Sequence, residues 1–343
     1  MLKKISVEDA VGTRLAHDIT EIKPGEFKGP AFRKGHQVCS EDICRLQNLG
    51  KNRLYLIDLA DDEIHENRAA AILARSLAGE GICWENDPRE GKIGLHAALD
   101  GLLNVDAAAL AAFNMVDEVM CATLHSHTLV KKGELVAATR AIPLVMKRAP
   151  VERAAAIAAQ HGGVVNVKAL KKAKVGVIVT GSEVFHGLIE DRFAPILKNK
   201  VTSLGSEVMQ ISFAPDDETF IAETIRSHMA KGCDLLLLSG GLSVDPDDVT
   251  RKAIQMAGAQ EVHYGAAALP GAMLLVAAID KIPLLGVPAC GLHHRVTVLD
   301  LMLPRILAGE KITRKELAFI GHGGLCKDCP DCTYPHCPFG KGF

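Results

Sequence analysis

The chain has 343 residues, 48% apolar, 4% aromatic and 23% charged, with a formal net charge of −2 at pH 7. That length suits about two domains of roughly 100–200 residues each, and the apolar share supports packed cores and argues against long disorder. The balanced charge removes the usual footprint of a nucleic-acid binder. One Trp and three Tyr leave few stacking platforms for single strands or sugars. No run approaches the ~20 apolar residues of a membrane helix. Met1-Leu-Lys-Lys-Ile has no apolar core behind its basic pair, so no signal peptide is expected. The composition therefore predicts a soluble, cytoplasmic protein with neither a nucleic-acid nor a membrane partner.

Residues 1–65 hold Gly12, Pro24, Gly25, Gly29-Pro30 and Gly35 among short apolar runs, which predicts a small β-rich unit. Residues 66–170 read as an α+β unit. An alanine-rich helix is expected over 66–83 and another from Ala107 to Phe113. Met120 to Val136 reads as two strands around the turn Lys131-Lys132-Gly133, and Ala141 to Met146 as an edge strand marked by Pro143. The lysine-rich stretch 165–172 is the expected hinge.

From residue 171 the pattern sharpens. Val175 to Val179 and Leu235 to Leu238 are unbroken apolar runs, as strands buried on both faces of a parallel sheet require. Val208 to Phe213 alternates, and Pro283 to Val287 is a further strand. Helices are expected between them: Phe193 to Leu204 stopped by Gly205, one after Asp216-Asp217, one from Asp247 or Asp248 to Met256, and one carrying Leu292 to Leu307. Alternating strand and helix over 171–310 predicts an α/β fold, a doubly wound and mostly parallel sheet, with residues 311–343 as a cysteine-rich tail.

Ligands of such sheets bind at the carboxyl ends of the strands. Three of those ends carry small glycine loops: Thr180-Gly181-Ser182-Glu183, Ser239-Gly240-Gly241-Leu242-Ser243 and Pro288-Ala-Cys-Gly291. Glycine lets amide groups approach a ligand closely, and the hydroxyls of Thr180, Ser239 and Ser243 add donors for an anion. No Walker lysine and no G-x-G-x-x-G accompany them, which removes those nucleotide fingerprints. Asp245, Asp247 and Asp248 follow the second loop. A helix cap accounts for one of them, and three beside a phosphate point to Mg²⁺ between them.

Thr180-Gly-Ser-Glu-Val184, Ser239-Gly-Gly-Leu-Ser-Val-Asp-Pro-Asp-Asp248 and Leu269-Pro270-Gly271 resemble, in order, the molybdopterin-binding domain of molybdenum cofactor biosynthesis. That domain is shared by molybdopterin adenylyltransferases, molybdopterin molybdenumtransferases and competence-damage-inducible proteins. The resemblance implies a pterin phosphate pocket lined by Thr180 to Glu183 and Ser239 to Ser243, with Pro270, Gly271, Pro288 and Gly291 at its further loops. It places Asp248 at the metal and phosphate chemistry, with Asp245 beside it. The implied ligand is molybdopterin, its adenylylated form or the molybdenum cofactor, and the implied partners are a molybdoenzyme or another cofactor-synthesis protein. A homo-oligomer stays open. Asp245 stands where the family has glycine, and Pro288-Ala-Cys-Gly291 replaces the Pro-Gly-Asn-Pro of molybdenumtransferases. Arg33 to Gly50 resembles the segment that precedes the domain in those enzymes, yet residues 51–170 separate the two here. Their N-terminal Asp-Asn-Ser-Ala-Met-Asp-Gly-Tyr-Ala signature is missing. Three readings follow: cofactor synthesis or metal insertion, a non-catalytic carrier or chaperone, and an ADP-ribose-type pyrophosphatase.

Of ten cysteines, Cys39, Cys44, Cys83, Cys121, Cys233 and Cys290 are scattered and read mostly as small buried apolar residues. Cys326, Cys329, Cys332 and Cys337 cluster in twelve residues, in a C-x2-C-x2-C-x4-C-P run close to a ferredoxin pattern. They are the expected metal ligands, for Zn²⁺ or an iron–sulfur cluster. His125 and His127 are expected to share one face of a strand, and His293-His294 follows the third glycine loop. No spacing suggests a covalent nucleophile.

Overall fold

The two unbroken apolar runs become central strands of one six-stranded sheet. The computed structural model describes residues 2–23, 27–57, 59–85, 87–160, 162–242 and 249–342. The chain divides into two units: Met1–Ala97, Val105–Leu124 and Gly133–Asn166 in the first, and Ala98–Asn104, His125–Lys132 and Val167–Phe343 in the second. Among the described residues no helix is long and apolar enough to cross a membrane.

The chain starts with strands β1 (Leu2–Ser6), β2 (Ile19–Lys23) and β3 (Phe27–Phe32), helix α1 (Asp42–Asn48), and strands β4 (Arg53–Ile57) and β5 (Glu63–His65). Helix α2 (Glu66–Leu77), strands β6 (Ile82–Cys83), β7 (Lys92–Ala97) and β8 (Gly101–Val105), helix α3 (Ala107–Asn114) and strand β9 (Val119–Thr123) follow. Then come β10 (Leu129–Val130), β11 (Leu135–Ala141), β12 (Val145–Lys147), helix α4 (Arg148–Gln160) and β13 (Val165–Lys168).

The first unit is built of small antiparallel sheets. They are β1 with β4, β2 with β3, β5 with β12, and a four-stranded sheet ordered β6–β7–β11–β9. Val7, Leu15, Ile19, Phe32, Val38 and Leu46 form the core of its first 54 residues. Asp106 caps α3 by accepting from the Ala109 amide at 2.9 Å, as a helix start requires. The expected strand over 141–146 is divided instead: Ala141 ends β11, Pro143 lies in the connection, and β12 pairs with β5. Helix α4, absent from the sequence-based reading, buries Val151, Ala154 and Ala158 on one face.

The strands flanking Lys131-Lys132-Gly133 do not form the expected pair. β10 pairs with β8, and β11 lies between β7 and β9. The Asp100 carboxylate accepts from the Lys132 amide at 2.8 Å and the Lys131 ammonium at 3.0 Å, which fixes the turn beside β8. His125 and His127 are not on a strand; both lie in the loop before β10, with His127 at φ 62°.

In the second unit the elements are β14 (Lys174–Thr180), α5 (Ser182–Phe185), α6 (Phe193–Ser203), β15 (Glu207–Ala214), α7 (Glu218–Ala230) and β16 (Leu235–Ser239). They continue as α8 (Thr250–Met256), β17 (Gln260–Tyr264), β18 (Leu275–Ile279), β19 (Ile282–Val287), α9 (Val298–Leu307) and α10 (Arg314–Phe319). The sheet is ordered β15–β14–β16–β19–β18–β17. Its first four strands are parallel and the last two join antiparallel. The fold is thus α/β with a mostly parallel sheet, as expected. β17 and β18 were not anticipated; a two-residue turn, Asp280-Lys281, links β18 to β19 with Asp280 at φ 55°.

Successive side chains of a strand face opposite ways, and both directions are apolar here. Val175, Val177, Val179, Leu235 and Leu237 join one core with α6 and α9. Ile178, Leu236 and Leu238 join the other with α7 and α8. Each fully buried Leu or Val contributes about 1.5–3 kcal/mol relative to exposure, which holds the strand ends in fixed register.

Of the scattered cysteines, Cys121 and Cys233 are buried as expected. Contrary to that expectation Cys39, Cys44 and Cys83 are exposed and Cys290 is half-buried; Cys39 lies in the connection before α1, Cys44 in the short α1 and Cys83 at the end of the two-residue β6.

Candidate functional site

Parallel pairing sets Thr180, Ser239 and Val287 at the same end of three neighbouring strands, with Val179 opposite Ser239 and Ser239 opposite Val287. Two of the expected loops interlock there. The Thr180 hydroxyl donates to the Ser239 carbonyl at 3.0 Å and lies 3.2 Å from the Thr250 hydroxyl. Thr250, the first residue of α8, in turn donates to the Gly240 carbonyl at 3.1 Å. Thr180, Ser239 and Thr250 are all buried. Thr250 is the strut that sequence reasoning missed; a threonine opening a helix nine residues past Gly241 gave the only hint.

Gly240 and Gly241 are dictated by this lock. Gly240 has φ +94°, and a Cβ there would lie 2.2 Å from the Thr180 carbonyl oxygen. At Gly241, φ +56°, it would lie 2.4 Å from the Thr250 hydroxyl. A side chain at 240 would have to displace main chain, and one at 241 the Thr250 hydroxyl, and both would sit at a φ that favours glycine. The Ser239 hydroxyl is buried at the base of the loop and makes no hydrogen bond among the described residues. A buried hydroxyl without a partner costs about 1–3 kcal/mol, so this one has a donor in reserve.

The first loop is pinned from the side. The Ser182 amide donates to Asp216 at 2.8 Å and the Asp216 amide donates to the Ser182 hydroxyl at 3.1 Å. Asp216 therefore serves the loop, while its neighbour Asp217 caps α7 through the Phe220 amide at 2.7 Å. Gly181 stands at φ +141°, and Glu183 is exposed in the short α5. At the third loop, Pro288 follows β19 directly. Gly291 is buried, and a Cβ there would meet Val287 and Phe193 only at 3.6 and 3.8 Å, ordinary contact distances. Pro270 and Gly271 are placed against the first turn of α9: the Pro270 carbonyl accepts from the Val298 amide at 3.1 Å, and a Cβ on Gly271 would lie 2.5 Å from Val298. Ser243, Asp245, Asp247 and Asp248 lie outside the described residues, and α8 is described from Thr250 with Val249 before it.

A cavity of about 430 Å³ in the second unit lies elsewhere, among Lys171, Glu261, Asp280, Lys281 and Lys311. Lys311 is ion-paired to Glu261 at 2.6 Å there, both well exposed, so the charges answer one another. The strand-end loops, with backbone groups gathered and a hydroxyl unspent, have the stronger claim on a ligand.

A second polar cluster, in the first unit, escaped sequence reasoning. His17, Lys34, His65, Glu66, Glu90 and Arg140 line a cavity of about 350 Å³. His65 and Glu66 are buried, and Lys34 Nζ stands 3.3 Å from His65 Nε2. Burial pushes the pKa of both His17 and His65 down, with nearby Lys51 and Lys34 respectively adding to it, and pushes that of Glu66 up against the opposing Arg140. His17 Nδ1 and Arg140 Nε are buried without partners among the described residues.

Residues 176–308 match a family model described as "Probable molybdopterin binding domain", and residues 4–58 one described as "Domain of unknown function (DUF8806)". The second unit thus carries a domain of the molybdopterin-binding family. The chain is 38% identical over 78 residues to a CinA-like protein of Mycobacterium sp. (strain JLS), covering 23% of this chain and 18% of that protein. It is 33% identical over 82 residues to a CinA-like protein of Mycobacterium tuberculosis (strain ATCC 25618 / H37Rv), covering 24% and 19%. The match thus spans less than a fifth of these curated relatives. Among solved structures, the molybdopterin biosynthesis enzyme MoaB of Thermus thermophilus is 19% identical with a TM-score of 0.35, covering 40% of this chain and 98% of that one. The molybdopterin biosynthesis MoeA protein of Pyrococcus horikosii is 17% identical with a TM-score of 0.33, covering 90% and 75%.

Proposed function

We propose that the second unit binds molybdopterin, free, adenylylated or metal-loaded, at the carboxyl ends of β14, β16 and β19, and serves the synthesis, metal loading or delivery of the molybdenum cofactor. The observation that carries this reading is the Ser239-Gly240-Gly241 loop, locked by Thr180 and Thr250 above a buried hydroxyl with no partner among the described residues. The family match over 176–308 supports it.

A phosphate fits such a cradle because amides and hydroxyls donate to it without a protein charge that must be desolvated. Gly240 and Gly241 let the ligand approach the main chain, and Ser239 supplies its spare O–H. Thr180 holds the loop by spending its own proton on the Ser239 carbonyl. Asp245 and Asp248 are assigned to Mg²⁺ beside the phosphate, which turns their charge from repulsive to bridging. Transfer at the pterin phosphate or insertion of metal at the dithiolene is the enzymatic form of this reading. The missing molybdenumtransferase signature favours its other form, a carrier that hands the loaded cofactor to a molybdoenzyme.

The test is an anaerobic titration of the full chain with molybdopterin in the presence of Mg²⁺. Saturable binding is expected, and Asp248→Ala should abolish its Mg²⁺ dependence while the far-UV spectrum is unchanged. Binding that ignores both Mg²⁺ and the substitution would remove Asp248 from the site. No binding by the folded wild type, with hydrolysis of ADP-ribose in its place, would transfer the loops to pyrophosphatase chemistry.

A further inference from the structure

The tail after α10 holds its shape with very little of the usual support. Residues 321–342 contain no helix or strand beyond one isolated bridge, Leu325 to Leu269. Phe339 is their one large, deeply buried apolar side chain among the described residues. Yet the segment is closed and docked. The Gly340 amide donates to the Gly323 carbonyl at 2.9 Å, the Leu269 amide to the Gly324 carbonyl at 2.8 Å, and the Cys326 amide to the Leu269 carbonyl at 2.8 Å. Farther along, the Tyr334 hydroxyl reaches the Asp300 carbonyl at 3.3 Å, and Asp328 pairs with His294 at 3.4 Å. So short a loop ordinarily needs a disulfide or a metal to stay folded.

Within that loop, Cys326, Cys329, Cys332 and Cys337 line a single cavity of about 80 Å³, with Val296, Leu325 and Phe339 among its apolar walls and Lys327, Thr333 and Tyr334 also lining it. All four cysteines are free thiols. The Asp328 amide already donates to the Cys326 sulfur at 3.4 Å, with Asp328 at φ 50°, so the first C-x2-C stretch is bent into a knuckle that presents amides to a thiolate. Among the described residues no three His, Cys, Asp or Glu side chains converge on one point closely enough to hold an ion. Ligation of one metal would require the four thiols to draw closer together.

We propose that Cys326, Cys329, Cys332 and Cys337 form a four-thiolate metal centre that staples the tail onto Leu269. Each thiol gives up its proton to solvent as its thiolate ligates the metal, so the centre and the fold of the tail form together. Thiolates select soft centres, either one tetrahedral zinc or an iron–sulfur cluster. The site is distinct from the pterin cradle and stands whether or not that reading holds.

The experiment is metal and acid-labile sulfide analysis of the full chain, purified anaerobically and reconstituted with Zn²⁺ or with Fe²⁺ and sulfide. About one zinc per chain, tightly held, or iron with matching sulfide and visible absorption that bleaches on reduction, supports the centre and tells its two forms apart. The double variant Cys329→Ser/Cys332→Ser should lose nearly all of that metal, whereas Cys290→Ser, outside the tail, should keep it. As a check that needs no variant, the loaded wild type should hide four thiols from an alkylating reagent and slow amide exchange over 323–340, both reversed by chelation. A metal-free protein after both reconstitutions, or metal retained undiminished by the double variant, overturns the proposal.

Discussion

At the carboxyl end of the parallel sheet, the polar groups that meet are main-chain atoms and hydroxyls, from Thr180, Ser239, Gly240 and Thr250. In the cavity of the first unit they are side chains that titrate or carry charge: His17, Lys34, His65, Glu66 and Arg140. The first arrangement is fixed by backbone conformation, so its geometry survives changes of pH and fails when a Cβ intrudes. The second depends on which of its groups hold a proton. Two sites of similar polarity should therefore break under different perturbations.

The largest effect is expected from Gly240→Ala. Its φ of +94° disfavours any L side chain, and the new Cβ would fall 2.2 Å from the Thr180 carbonyl oxygen, a main-chain atom that cannot rotate aside. We expect a loss of about 2–4 kcal/mol in the stability of the second unit and no measurable molybdopterin binding. Gly232 has nearly the same φ, +93°, but nothing within 4 Å of its hypothetical Cβ. Gly232→Ala should cost only about 1 kcal/mol and leave binding intact. Equal effects of the two substitutions in denaturant titrations would show that conformation alone, not the close approach to Thr180, makes glycine necessary at position 240.

Changes of pH should separate the units next. In the second, His228 is fully buried, its Nε2 lies 2.8 Å from the Ser212 hydroxyl, its Nδ1 has no partner among the described residues, and burial lowers its pKa to about 4. The unfolded chain takes up this proton near pH 6.5 and the folded one only near 4, so stability is complete above 6.5 and falls as pH drops through that window. At about 1.4 kcal/mol per unit the loss from His228 is at most about 3 kcal/mol; His127 of the same unit, whose pKa burial also lowers to about 4, adds to it, and His228→Gln should remove only the first share. In the first unit, His17 and His65 act in the same direction, but Glu66 opposes them. Its raised pKa means that the unfolded chain ionises first as pH rises above 4.5, so stability declines there. Glu66→Gln should consequently make the acid dependence of the first unit steeper. Trp84, the single Trp and part of the first unit, reports that unfolding by fluorescence.

The same contrast explains what could be read from the residues alone. The parallel strands were legible because burial on both faces demands unbroken runs such as Leu235 to Leu238, and the glycine loops because they sit within a few residues of each strand end. β17 and β18 were not, since an antiparallel addition at one edge leaves no glycine loop and Asp280-Lys281 is an unremarkable turn sequence. Helix α4 was missed although its alanines favour a helix, because Val151 is the one large residue on its buried face and leaves little apolar periodicity to read. His17, the pair His65-Glu66 and Arg140 come from three separate places in the chain and share no motif spacing. Thr250 lay in plain view, but its role depends on a hydroxyl contact with Thr180 that only the folded loop creates.

The smallest effect is also the one that discriminates most sharply. The Ser239 hydroxyl is buried and has no hydrogen-bond partner among the described residues, so Ser239→Ala removes a group that those residues do not use. Most buried polar truncations destabilise by about 1 kcal/mol or more because they strand a partner. Among the described residues there is none to strand, and we expect the unliganded stability to stay level or rise by up to about 1 kcal/mol. Affinity for molybdopterin should fall about tenfold, the worth of one hydrogen bond to a charged acceptor. Stability and binding would then move in opposite directions, as they must if the hydroxyl is held in reserve for a ligand. A stability loss with unchanged binding would instead mean that Ser239 serves the sheet, and that the cradle recognises its anion through the glycine amides alone.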